Sequence, residues 1–150
     1  MILKDEIIIN ASQDVVYAAL NDPEILKQCI PGCEELIKHS NTELEAKVVL
    51  KIGPVKAKFS GNVTLSPDAP PERFSLTGTG NGGAAGYAKG GAVVELEQHQ
   101  DGTLLRYTAT ADIGGKLAQL GSRLIQGTAK KLAAEFFKSF ADLVGEDNAA

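Results

Sequence analysis

The stretch "SLTGTGNGGAAGYAKGGAVVELE", Ser75 to Glu97, spells G-x-G-x-x-G at Gly78, Gly80 and Gly83. Such glycines can bring the backbone up to a dinucleotide pyrophosphate, provided that they follow a strand and open a helix whose N-terminus takes the charge. Here they run into "AVVELEQ", where Val94 and Leu96 alternate with Glu95 and Glu97 as a strand does. The helix is missing, so no nucleotide site is expected.

The other reactive side chains are few. Cys29 and Cys33 flank Ile-Pro-Gly in a C-x3-C pair, and His39 and His99 are the only histidines. A zinc site needs its ligands gathered together, and nothing in the spacing puts the imidazoles beside the thiols, so structural thiols are expected and no metal. Catalysis needs convergent polar groups. Glu43, Glu45, Glu95 and Glu97 fall on the outward parity of their strands, and Tyr107 reads as a core tyrosine. No catalytic residue is assigned and neither enzyme activity nor a cofactor is expected.

The chain has 150 residues, 43% of them hydrophobic and 23% charged, which suits one domain with a real core. Its net charge of -4 gives no general attraction to nucleic acid, and it lacks the aromatic platforms of single-strand binders. "MILKDEIIIN" has an acidic pair within its apolar run and no cleavage site, so it reads as a strand and not a signal peptide. No run approaches the roughly 20 apolar residues that span a bilayer. A cytoplasmic location is expected, with peripheral contact at the inner face of the membrane left open.

The elements that position these residues follow from periodicity. After the first strand, Ser12 can cap a helix to Leu20, and Asp22-Pro23-Glu24 opens a second, reaching about Cys29 before Pro31-Gly32 stops it. "TELEAKVVLKI" and "VKAKFSGNVTL" alternate cleanly on either side of Gly53-Pro54 and form a hairpin. "RFSLTGTG", Gly86 to Gln98 and "TLLRYTATAD" supply further strands, for about seven antiparallel strands in all. From Gly115 to Leu143 the apolar stripe Leu117, Leu120, Leu124, Leu132, Phe136, Phe140 and Leu143 predicts one long helix. The expected class is α+β: residues 1–145 as a single domain with a curved sheet wrapped around the long helix, and 146–150 as a short disordered tail.

Parity gives the glycines another use. The inner face of the fifth of these strands reads Ala84, Gly86, Ala88, Gly90, Ala92, Val94, Leu96. Hairpin pairing sets its small end beside Gly78 and Gly80 on one side and Ala109 and Ala111 on the other. Glycines inside a strand weaken it, and Gly121 and Gly127 in the expected helix would each cost about 1 kcal/mol against alanine. Two accounts stand. Either the small residues let the helix sit close to the sheet, or they leave an apolar cavity of ordinary ligand size, roughly 300 to 1,000 Å³. On the second account the walls are Leu50, Ile52, Phe59, Leu76, Ala88, Gly90, Tyr107, Leu117, Gly121 and Leu124, and Gly121→Leu should fill the space.

"CIPGCEEL", "KIGPVKAKFSGNVTL", the glycine-rich strand and above all "GGKLAQLGSRLIQGTAKKLAAEFF" resemble the CoxG family, the G subunit of carbon monoxide dehydrogenase, over nearly the whole chain. The resemblance implies the helix-grip fold shared with START and Bet v1-like domains. It also implies a non-catalytic accessory role beside a molybdenum-containing hydroxylase, linking that enzyme to the membrane or its quinone pool. Longer members carry a C-terminal extension credited with membrane attachment. The residues through "GEDNAA" do not include it, so permanent anchoring is not expected.

The implied partners are the hydroxylase and an apolar small molecule, a quinone or lipid. A docking module without ligand is the alternative, and a cyclase-like enzyme the more distant one. Lys47, Lys51, Lys56 and Lys58, on the outer face of the hairpin, are the candidate membrane or partner surface. A face charged only for solubility would look the same.

Overall fold

In the computed structural model, which describes residues 1–145, the chain runs β1 (Ile2–Ile9), α1 (Gln13–Leu20), α2 (Pro23–Cys29), β2 (Cys33–Lys38), β3 (Glu43–Ile52), β4 (Val55–Ala69), β5 (Arg73–Asn81), β6 (Tyr87–His99), β7 (Gly102–Gly114) and α3 (Ser122–Val144). Two 3₁₀ turns, Gly83–Ala85 and Gly115–Leu120, precede β6 and α3. The expected tail at 146–150 lies outside the described residues.

One antiparallel sheet holds all seven strands in the order β1-β7-β6-β5-β4-β3-β2, and α3 lies in its concave face, the expected helix-grip architecture. The short helices begin where their caps place them. The Ser12 hydroxyl accepts the Val15 N–H at 3.4 Å, and the Asp22 carboxylate accepts the Glu24 N–H at 2.9 Å with Pro23 in the first turn.

Two elements differ from the sequence expectation. β2 completes the seven strands in a segment, "CEELIK", that carries no clean alternation. A register shift between Cys33 and Glu35 puts an extra residue there and breaks the period. The long helix also starts later. Gly115–Leu120 is a 3₁₀ strap, and Gly121, at φ +95°, turns the chain before α3 begins at Ser122. Gly121 is therefore a hinge between two segments, because that backbone angle suits glycine and cannot continue a helix.

Side-chain bulk is concentrated at one end of the groove. Ile9, Val16, Leu105 and Phe140 are fully buried there, with Phe74, Val94 and Leu96 beside them. Phe136 stacks on Phe140 at a centroid distance of 6.0 Å and meets Phe137 edge-on at 5.0 Å. The buried Thr103 hydroxyl donates to the Ala11 carbonyl at 2.7 Å, which fixes the entry to α1 against β7. Such aromatic burial anchors the C-terminal half of α3.

Phe140→Ala is expected to lower stability by about 3–5 kcal/mol, the usual cost of emptying a fully buried aromatic site. Urea unfolding followed by circular dichroism checks it. A loss below about 0.5 kcal/mol, the level of an ordinary surface change, would show that this end does not carry the anchoring.

Candidate functional site

The register brings the small residues into rows across the sheet. Gly61 on β4 faces Gly80 on β5, Gly80 faces Ala88 on β6, and Ala88 faces Ile113 on β7. Across the groove the first half of α3 presents Ile125, Thr128, Ala129 and Leu132. Neither wall has the bulk to reach the other, and a cavity of about 430 Å³ remains between them. β3 contributes Ala46, Val48, Leu50 and Ile52, β4 adds Phe59 and Val63, and Leu117 closes one side from the 3₁₀ strap. Among the described residues the only polar side chain on this wall is that of Thr128.

Gly80 shows directly that the space is unfilled. A Cβ added to it would meet no atom within 4 Å, and its backbone is not in the left-handed region. Gly86 and Gly115 do a different job. A Cβ on Gly86 would strike the Gly114 carbonyl, and one on Gly115 would come within 2.7 Å of the Gly86 Cα. Both have positive φ, so these two glycines hold the start of β6 and the strap in backbone contact. The two accounts of the small residues thus apply to different positions: Gly61, Gly80 and Ala88 line space, whereas Gly86 and Gly115 allow close approach.

Of the expected walls, Leu50, Ile52, Phe59, Ala88 and Leu117 line this cavity. The others do not. Leu76 packs between the core clusters at the filled end. Gly90 has its Cβ direction blocked by the Thr110 carbonyl and borders a shallow polar saddle on the convex face. Tyr107 stacks on Phe137, centroids 4.8 Å apart, beside a separate groove between β1 and the second half of α3. Burial pushes its phenol up, and the charge of Asp5 adds to that. Leu124 is 38% exposed over Gly53, and Gly121 is the hinge, with open space where its side chain would go. Parity located the right faces of the strands but could not say how far along the groove the bulk ended. Ala46, Val48, Ile125, Thr128, Ala129 and Leu132 were missed although the strand alternation contained the first two.

The hairpin lysines divide into two pairs. Lys47 reaches Glu35 at 3.4 Å and Lys58 reaches Glu34 at 3.3 Å, both acids supplied by β2. Lys51 and Lys56 face one another across the hairpin next to Gly53-Pro54, and the structure gives them no carboxylate within ion-pair distance among the described residues. Leu124 sits at this same tip.

The fold and the cavity define a helix-grip domain enclosing apolar space, with no acid, base or thiol on the cavity wall among the described residues. The model of the CoxG family, described as the G subunit of carbon monoxide dehydrogenase, matches residues 6–145, and the chain belongs to that family. A conserved protein from Geobacillus kaustophilus, known as a crystal structure, is 31% identical with a TM-score of 0.90, over 97% of this chain and 96% of that one. Proteins of Chromobacterium violaceum (16% identity, TM-score 0.72) and Thermus thermophilus (18%, 0.71) share the fold, each over 96% of this chain and 97% of theirs. No curated protein matches the chain. No helix among the described residues is long and apolar enough to cross a membrane.

Both cysteines are free thiols. Cys29 is buried, and burial pushes its thiol up; the half-buried Cys33 is also raised by burial, with the charge of Lys27 pulling the other way. Since the thiolate is the reactive form, a disulfide reagent at mildly alkaline pH should label Cys33 first and Cys29 only as the chain unfolds. Rapid labelling of Cys29 in folded protein would show that its surroundings open.

Proposed function

We propose that this chain is a non-catalytic accessory protein of a molybdenum-containing hydroxylase and that it carries a neutral apolar molecule, a quinone or lipid, in the cavity between α3 and the sheet. The observation that supports the reading most is the unfilled apolar volume of about 430 Å³, which falls within the ordinary range of ligand sites. Folded interiors are close-packed, and a void this size forfeits dispersion contacts all along its walls. A ligand would restore those contacts. The partner enzyme and the link to a membrane or its quinone pool come from the family, whose name refers to carbon monoxide dehydrogenase.

The cavity chemistry favours an uncharged guest. A carboxylate or phosphate drawn inside would lose its hydration with only the Thr128 hydroxyl to replace it, which is far too little for a charge. A headgroup of that kind would stay at the surface. The lysine-bearing tip offers a place for it, since Lys51, Lys56 and Leu124 lie together beside Ile52 and Ile125 of the cavity wall. Basic residues attract anionic lipid surfaces by about 1 kcal/mol each, so this tip is also the surface through which the domain would visit a membrane.

Gly80→Leu is the decisive variant for the cavity, because its side chain would enter open space without backbone strain. It should keep the fold and abolish the fluorescence gain of an apolar naphthalene-type dye that binds the parent. Gly121→Leu should instead lose about 1–3 kcal/mol of stability, because φ +95° with ψ 148° is a backbone conformation that suits glycine and few other residues, while binding the dye as the parent does. Equal dye binding by folded Gly80→Leu protein would remove the cavity from the mechanism.

The tip is tested separately. In cosedimentation with phosphatidylglycerol vesicles at low salt, Lys51→Glu/Lys56→Glu should lower the bound fraction more than Lys47→Glu/Lys58→Glu, whose lysines already have acidic partners. No binding by the parent at low or physiological salt would exclude the membrane part of the proposal.

A further inference from the structure

β1 ends the sheet on one side, paired with β7 and with no strand beyond it among the described residues. Met1 and Ala111 exchange both backbone hydrogen bonds, at 3.1 and 3.0 Å. Antiparallel ladders alternate, so the odd residues of β1 turn their polar groups to β7. Ile2, Lys4, Glu6 and Ile8 therefore turn theirs outward. The Glu6 N–H agrees with this assignment, being held by the side chain of its own neighbour, Asp5, at 2.8 Å and by no strand. Unpaired groups in such a row are a template for another strand.

We propose that the strand recognised is β1 of a second copy of this chain, joined antiparallel about a two-fold axis at Asp5. This arrangement sets Lys4 opposite Glu6 of the other copy, Ile2 opposite Ile8, and Leu3 opposite Ile7. The outward-facing pairs, Lys4–Glu6 and Ile2–Ile8, are the hydrogen-bonded ones, which is the alternation that the free groups require. Shifting the register by one residue loses the hydrogen bonds, and centring the axis on Lys4 or Glu6 puts like charges opposite each other. The Asp5 centre alone sets Lys4 against Glu6 and Ile2 against Ile8, although it also brings the two Asp5 carboxylates together.

The exposed side chains fit this partner. Ile2 is 60% and Ile8 40% exposed, which is much apolar surface for an edge strand to leave in water. Lys4 has no carboxylate within ion-pair distance among the described residues, while Glu6 shares Arg106 with Glu97 and keeps one oxygen free for a second cation. The central pair of Asp5 carboxylates opposes joining. Lys138 borders the groove that Asp5 lines, but Glu6 and Asp142 border it too, so the repulsion between the Asp5 carboxylates remains a cost of pairing. To pair, the Glu6 N–H exchanges the Asp5 carboxylate for the Lys4 carbonyl of the other copy.

Sedimentation velocity of the full chain from micromolar to millimolar concentration should show a reversible dimer. Lys4→Glu, which turns both charge pairs repulsive at an exposed site, should weaken it about tenfold or more. Asp5→Asn should tighten it, and the Lys4 and Ile8 amides should gain hydrogen-exchange protection as concentration rises. A monomer at millimolar protein overturns the assignment. So does a dimer indifferent to both substitutions in folded protein, because it would then use another face.

Discussion

The structure depends on a taper in side-chain volume along one groove. At the C-terminal end of α3 the space between helix and sheet is filled by Phe74, Leu105, Phe136 and Phe140. Toward its N-terminal end the facing residues shrink to Gly61, Gly80 and Ala88 on the sheet and Thr128 and Ala129 on the helix. The filled end holds the helix against the sheet and thereby holds the empty end open. A helix anchored along its whole length would have no cavity, and one anchored nowhere would collapse into it.

Most of the architecture was legible because strand alternation and helix caps are local signals. Ser12, Asp22 and Pro23 announced α1 and α2, and the clean parity of "TELEAKVVLKI" and "VKAKFSGNVTL" announced the hairpin. What failed was not local. β2 is hidden by a bulge, and its pairing with β3 is long-range information that six residues with two adjacent acids do not carry. Gly121 kept its place in the apolar period of the helix, so periodicity ran through it, although its positive φ stops the helix there.

The site was legible in the same uneven way. Parity says which face a residue is on, and for Leu50, Ile52, Phe59, Ala88 and Leu117 that was enough. Position along the groove depends on how the sheet curves and where α3 crosses it. Tyr107 and Leu76 share the inner face but belong to the filled end, and Leu124 is carried outside by the hinge before it. The glycine-rich stretch that resembled a phosphate loop turned out to hold two devices: open wall at Gly80, and at Gly86 tight backbone contact with Gly114 and Gly115 outside the stretch.

These physical features meet at one functional idea, a domain whose stability resides at one end so that the other can hold a neutral apolar guest. Native mass spectrometry of the protein purified from its own cells, after incubation with that cell's lipid and quinone extract, tests the idea most directly. The account predicts a stoichiometric added mass that solvent extraction releases as a quinone or lipid. A spectrum of the bare chain alone after that incubation would contradict it.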